Sequence, residues 1–259
     1  MTEPAKKDYQ IHSVKNAMHI LRLYSGERAE LGVTEMSRLL GMSKSSVHRL
    51  VSTLTKEGFL EKSQNSNKYR LGLALLGLCG VITTHMEIHR EAIPTLEILV
   101  EKLGEACHVC VLEGSDIVYL HKVECRHPVR LLSHIGKRNP AFCTSGGKSI
   151  LAYQPESIVN SVIESGLTPY GPNTITDPAQ FKENLQSIRE QGYAVCIDEL
   201  HEDVISIGSP IRDYSGDVVA SVSVVGPKQR ITPDKIPFFA ATVLEAGREI
   251  SQKLGYCGL

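Results

Sequence analysis

Between residues 13 and 56 apolar side chains repeat at helical spacing three times, and the last two repeats are separated by only three residues beginning with Gly41. Val14, Ala17, Met18 and Leu21 fall at i, i+3, i+4 and i+7, which predicts an amphipathic helix over residues 13–24, capped by Ser13. A second, short helix is expected over 33–40, with Thr34 near its start, Met36, Leu39 and Leu40 inward, and Gly41 at a left-handed C-cap. Ser43 can cap a third helix, in which Val47, Leu50, Val51 and Leu54 form the apolar stripe. Its opposite face carries Lys44, Ser45, Ser46, His48, Arg49, Ser52 and Lys56.

Two helices around a tight glycine-containing turn, the second with a polar and basic outer face, have the layout of a helix-turn-helix. The third helix would lie in the major groove, where Arg49 can bond a guanine bidentately and the serine hydroxyls can meet bases or phosphates. Gly58 ends that helix, and residues 59–62 and 68–71 read as two strands around the polar turn 64–67. This hairpin is a wing, placing Lys62, Lys68 and Arg70 near the phosphates or the minor groove.

The charge distribution agrees. Residues 1–80 carry twelve Lys+Arg and seven Asp+Glu, a net of +5, whereas the remainder carries 16 against 22, a net of −6. A basic segment joined to an acidic one suggests that the first part meets a polyanion. Beyond residue 80 the texture changes to β-rich runs at 106–112, 117–123, 204–211 and 218–225, interleaved with helical stretches and joined by turn residues at 114–116 and 213–217. The fold class is α+β. The longest nearly uncharged apolar run, 71–82, is too short to span a bilayer and the charged N-terminus has no secretory pattern, so a cytoplasmic protein without membrane contact is expected.

Several catalytic and metal signatures fail. The run at 146–149 resembles the end of a phosphate-binding P-loop, but position 142 is Phe where Gly is required. Ser145 misses a nucleophile elbow because Cys143 replaces the first glycine. The seven cysteines are odd in number and scattered, as in a reduced protein, and Cys107 and Cys110 on one strand would face opposite sides. His85 and His89 are spaced i, i+4, and His121, Cys125 and His127 form a loose cluster, yet neither has a recognisable metal motif. No enzyme, metal or cofactor is expected. The stretch 144–147 reads instead as a helix start whose small residues let a ligand carboxylate approach the backbone, or simply permit close packing.

The runs SVKNAMHIL (13–21), GMSKSSVHRL (41–50), GFL (58–60) and YRLG (69–72) resemble the isocitrate-lyase-regulator (IclR) family of bacterial transcription regulators. In the second half DIVYLHKVE (116–124), GKRNPAFCTSGGKSILA (136–152), GYA (192–194), PIRD (210–213) and VGP (225–227) follow the family's order, so the resemblance covers nearly the whole chain. It implies a winged helix-turn-helix over 1–77, a linker helix over 78–92 and a GAF-like α/β effector-binding domain over 93–259. It also implies dimers or tetramers on double-stranded operator DNA, with Thr34, Lys44, Ser45, Ser46, His48, Arg49, Lys68 and Arg70 at the DNA. Leu131, Asn139, Ser145, Gly146, Gly147, Asp198, Glu199 and Ser206 would line the effector pocket. The reading is a transcriptional repressor responding to a small organic acid. A second reading keeps the DNA-binding half but makes the sensor a thiol or metal switch, built on Cys107, Cys110, Cys125, Cys143 and Cys196.

Overall fold

A computed structural model describes residues 10–26, 28–126 and 133–258. The chain divides into two compact units, residues 1–85 and 86–259. Among the described residues no helix is long and apolar enough to cross a membrane.

The first unit contains α1 (His12–Leu21), β1 (Leu31–Gly32), α2 (Val33–Leu40), α3 (Lys44–Lys56), β2 (Leu60–Lys62), β3 (Lys68–Leu71) and α4 (Ala74–His85). Its core joins Ile20, Leu31, Met36, Val47, Val51, Leu54 and Leu60. The turn chemistry works as the sequence suggests: Gly41 has φ 64° and the Ser43 hydroxyl accepts the Ser46 amide at 3.2 Å. Three details differ from the periodicity. Ser13 does not cap α1, which starts one residue earlier after Ile11 with no side-chain cap. The helix stops at Leu21 rather than Tyr24, because the chain peels away and the Tyr24 hydroxyl donates to the Tyr69 carbonyl at 3.1 Å. Val14, Met18 and Leu39 lie exposed rather than inward, while Ile20 is the buried residue of α1. The two-residue β1, too short to show a period, pairs with β3 and makes the wing three-stranded in the order β1-β3-β2.

The expected linker helix is interrupted. α4 ends at His85, Met86 is extended (φ −91°, ψ 98°), and α5 (Glu87–Leu103) begins anew, so residues 78–92 span the end of one helix and the start of another. The apolar side chains of Leu73, Leu76, Leu78, Val81 and Ile82 around α4 are all exposed.

The second unit continues from α5 through β4 (Ala106–Glu113), β5 (Asp116–Val123), β6 (Arg138–Pro140), a 3₁₀ turn (Ala141–Cys143), α6 (Ser145–Leu151), α7 (Glu156–Glu164), α8 (Pro178–Gln191), β7 (Ala194–Ile197), β8 (Val204–Arg212), β9 (Val218–Pro227) and α9 (Ile236–Lys253). One antiparallel sheet runs β6-β5-β4-β9-β8-β7. The four long strands coincide with the four β-rich runs of the sequence; the three- and four-residue β6 and β7 carry too little pattern to be seen there.

Alternation along the strands separates two apolar layers. Cys107 and Val109 of β4 face one layer with Leu96, Leu99, Val243 and Ile250 of α5 and α9. Cys110 faces the other with Phe142, Ile150, Leu151, Phe181 and Leu185. Cys107 and Cys110 therefore do lie on opposite faces. The second layer includes Ile150 and Leu151 of α6, all seven of whose residues are buried. The start of α6 is wedged by glycines: a Cβ on Gly147 would meet the Ala141 carbonyl oxygen at 2.2 Å, and one on Gly208 of β8 would meet that of Ser145 at 2.7 Å.

Candidate functional site

In the first unit the exposed face of α3 presents Lys44, Ser45, Ser46, His48 and Arg49, and Thr34 is exposed at the start of α2. The first turn of α3 is tied together by hydroxyls: Ser43 Oγ lies 3.0 Å from Ser45 Oγ and donates to Ser46 Oγ at 2.8 Å. Two of the serines expected to meet DNA therefore also order the helix entry.

On the wing Lys68 is exposed, but Arg70 is not a lone charge. The hairpin register sets it opposite Glu61, and its guanidinium grips both carboxylate oxygens at 3.1 and 3.2 Å. The sequence reading missed this pairing, although a four-residue turn at 64–67 already places position 61 across from 70.

In the second unit a cavity of about 60 Å³ opens over one face of the sheet beside the start of α6. It gathers Asn139, Ser145, Gly146, Glu199 and Ser206, five of the residues anticipated from the sequence, from four separate stretches of chain. Two others turn elsewhere. Gly147 gives its amide to Thr144 Oγ1 at 3.2 Å and packs against Ala141, so it holds the helix start closed rather than lining the cavity. Asp198 has φ 58° and directs a carboxylate oxygen to Lys228 Nζ at 2.5 Å. Its own carbonyl, with that of Glu199, is clamped by the loop at 171–174: the Asn173 amide reaches Asp198 O at 3.1 Å and Thr174 Oγ1 reaches Glu199 O at 2.6 Å. Leu131 lies outside the described residues, as does His127.

The cavity also recruits residues that the sequence did not single out as lining it: His108, Ile117, Tyr119, Ser133, Lys137, Cys143, Cys196, Leu200, His201 and Ser223. His108 is almost fully buried, its Nε2 lies 2.9 Å from Ser133 Oγ, and burial with Lys122 nearby lowers its pKa to about 3, so the imidazole is neutral. Tyr119 is held by Asn139 Nδ2 at 3.2 Å, and burial raises its phenol well above the ordinary range. His201 at the rim is shifted down by partial burial and by Lys137.

Beneath the Glu199 wall is an ion pair with no solvent access on one side. Lys148 of α6 is fully buried, and its Nζ lies 2.8 and 2.6 Å from the two carboxylate oxygens of Glu199. The legible signal was Lys148 itself, the single charge in an otherwise small and apolar helix, which implies a partner somewhere in the core.

The thiols are poorly placed for a redox or metal switch. Burial pushes Cys110 and Cys143 up to about 12 and Cys107 and Cys196 well above the ordinary range, which suppresses the reactive thiolate. Cys79 and Cys257 are the exposed ones. Among the described residues no group of three or more His, Cys, Asp or Glu is arranged to hold a metal ion.

Comparison with known proteins accounts for both units. Residues 13–64 match the IclR helix-turn-helix domain, and residues 81–252 match the bacterial transcriptional regulator IclR C-terminal domain. The chain is 33% identical to the HTH-type transcriptional regulator KipR of Bacillus subtilis (strain 168), over 94% of this chain and 97% of the relative. It superposes on the crystal structure of the Thermotoga maritima IclR with TM-score 0.78 and 31% identity, over 95% of this chain and all of the other. An IclR homologue from Microbacterium hydrocarbonoxydans, solved in complex with 4-hydroxybenzoate, gives TM-score 0.82 at 25% identity over 93% of this chain and 98% of that one. The chain thus belongs to the IclR family of bacterial transcription regulators, with a DNA-binding helix-turn-helix followed by a C-terminal ligand-binding domain.

Proposed function

We propose that the protein is a transcriptional repressor whose second unit binds a small organic acid that releases it from its operator. The observation that carries the reading is the cavity at the start of α6, which Lys137, Ser145 and Gly146 line together with Asn139, Ser206 and the neutral His108. A cationic side chain among hydroxyl and amide side chains suits a carboxylate, and a relative of the same fold holds 4-hydroxybenzoate. Asn139, Ser145, Gly146, Glu199 and Ser206 are the proposed effector contacts.

In this reading residues 1–77 read DNA and 93–259 sense the acid, with the helices on either side of Met86 between them. α3 enters the major groove through Lys44, Ser45, Ser46, His48 and Arg49, with Thr34, Lys68 and Arg70 at phosphates. The exposed apolar side chains of α4 favour a dimer, which would set two recognition helices on successive major grooves about 34 Å apart. The acid acts by favouring the arrangement of the two DNA-binding units that cannot reach both half-sites.

The test is a melting-point screen of the full chain against small organic acids, followed by binding to a duplex selected from a random library. An acid at 100 times its Kd should add about 2.7 kcal/mol of stability and weaken the selected duplex. If no acid shifts the melting point, or if the stabilising acid leaves DNA affinity unchanged, the reading fails.

A further inference from the structure

A groove of about 450 Å³ runs between the end of β8 and the C-terminal half of α9, wholly within the second unit. We infer that this groove is a second ligand site, and that it takes a small phosphate monoester whose phosphoryl group is held by Arg212 and Arg248.

Alternation along β8 separates the groove from the cavity beside α6. Ser206 lines that cavity, whereas Ser209 falls in step with Ile205, Ile207 and Ile211, which share a core layer with Val243 and Ile250 of α9. Among the described residues none lines both openings.

Arg212 ends β8 at a register shift in its pairing with β9, an irregularity of the kind that re-aims a side chain. Its guanidinium carbon lies 4.6 Å from the centre of the Tyr153 ring and 5.9 Å from that of Tyr256, and its Nη1 donates to the Gly216 carbonyl at 2.7 Å. The fork is thus held against two aromatic rings with most of its five N–H donors free. Arg248 on the same groove is exposed and makes no hydrogen bond or ion pair among the described residues. The acids nearby in sequence are already engaged: Asp213 accepts from the amide and hydroxyl of Ser215, Glu245 pairs with Lys102, and Glu249 pairs with Lys253. Among the described residues no acid lines the groove.

Two guanidinium groups without a carboxylate beside them favour an anion of nearly two charges. A phosphate monoester carries about −1.5 to −2 at pH 7 and three acceptor oxygens that match the arginine fork, whereas a carboxylate would leave one cation unanswered. The body of the ligand would meet neutral polar groups. Ser209 lines the groove at only 2% exposure, yet its hydroxyl makes no hydrogen bond among the described residues, and neither do the Gln252 amide and the Tyr256 hydroxyl. A buried hydroxyl without a partner is costly, and a bound polyol would supply one. The volume falls within the roughly 300–1,000 Å³ of small-molecule sites.

The experiment is calorimetric titration of the full chain with glucose 6-phosphate, inorganic phosphate, gluconate and glucose, repeated on Arg248→Gln and Arg212→Lys. Maleimide labelling of Cys257, which is exposed on the groove wall, reports occupancy, with Cys79 of the first unit as reference. Glucose 6-phosphate is expected to bind about tenfold or more tighter than the other three and to slow labelling of Cys257 but not of Cys79. Either substitution should weaken it by about tenfold, since Arg212→Lys keeps the charge but loses the fork. Silence from glucose 6-phosphate, an unchanged affinity in Arg248→Gln, or binding that leaves Cys257 labelling untouched overturns the inference. Gluconate binding as tightly would overturn the phosphate assignment, and inorganic phosphate binding as tightly would overturn the ester. Cys257 labelling that speeds up on dilution of the unliganded protein would mean that a second copy covers the groove, and would overturn it too. If Arg212→Lys does not melt cooperatively, the exposed Arg248→Gln and the labelling decide.

Discussion

Lys148 and Glu199 come from elements 51 residues apart and meet with Nζ within 2.8 Å of both carboxylate oxygens, the lysine fully buried and the glutamate nearly so. Such a pair adds little net stability over a well-packed apolar substitute, but removing one partner strands a charge in the core. Glu199→Gln should lower the unfolding free energy by about 3–5 kcal/mol in urea denaturation. The double change Lys148→Met with Glu199→Leu should recover much of that loss; a double variant weaker than Glu199→Gln would show that the pair is worth more than its desolvation.

Acid should destabilise the second unit through His108. The unfolded residue takes up a proton near pH 6.5, while the folded one stays neutral until about pH 3. Between those values the unfolded state holds the extra proton, so stability falls as pH falls, by up to about 1.4 kcal/mol per pH unit from this group. His121, His134 and His201 are shifted the same way and add to the slope. Urea titrations from pH 5 to 7.5 should show a shallower slope for His108→Asn than for the wild type; identical slopes would contradict the buried neutral imidazole.

At the DNA, Arg49→Ala should weaken binding to a selected duplex by about 1–3 kcal/mol and relax preference at one base pair. Lys68→Ala should reduce the salt dependence by about one counterion without changing sequence preference. Arg70→Ala should have the smaller effect, because Glu61 already answers its charge, and Glu61→Gln should tighten binding. Salt slopes measured by fluorescence anisotropy decide this; equal losses from Lys68→Ala and Arg70→Ala would mean that the Glu61 pair opens on contact.

Thiol labelling separates the metabolite sensor from a redox one. Brief treatment of the native protein with a maleimide should modify Cys79 and Cys257 and spare Cys107, Cys110, Cys143 and Cys196, whose burial suppresses the thiolate. Mass mapping that finds Cys143 or Cys196 labelled first would revive the thiol switch.

What the sequence disclosed follows from how far each feature depends on distant residues. Gly41 and the Ser43 cap are local chemistry and could be read directly, as could the four long strands with their clear alternation. The inward face of α1 could not, because Val14, Met18 and Ile20 are all apolar and only packing selects Ile20. The cavity was half legible. Residues near the α6 start could be placed by resemblance, but His108 and Tyr119 enter it only through the pairing of β4 and β5 with the rest of the sheet. Asp198 and Glu199 are adjacent and chemically alike, and only a positive φ at Asp198 and the clamp from Asn173 and Thr174 send one to Lys228 and the other to the cavity wall.

The glycine wedge at the start of α6 limits how chains of this design can diversify. A single methyl at position 147 or 208 would collide with backbone, which has no rotamer into which it can retreat, and one at 146 would meet Cys110 Sγ at 2.7 Å. Larger side chains are thereby shut out of these glycine positions, and a lineage that changed its ligand would do so at residues such as His108, Tyr119, Asn139 and Ser206, whose side chains meet the cavity. Differences in diet among such regulators should be written in those few positions while the glycines stay the same.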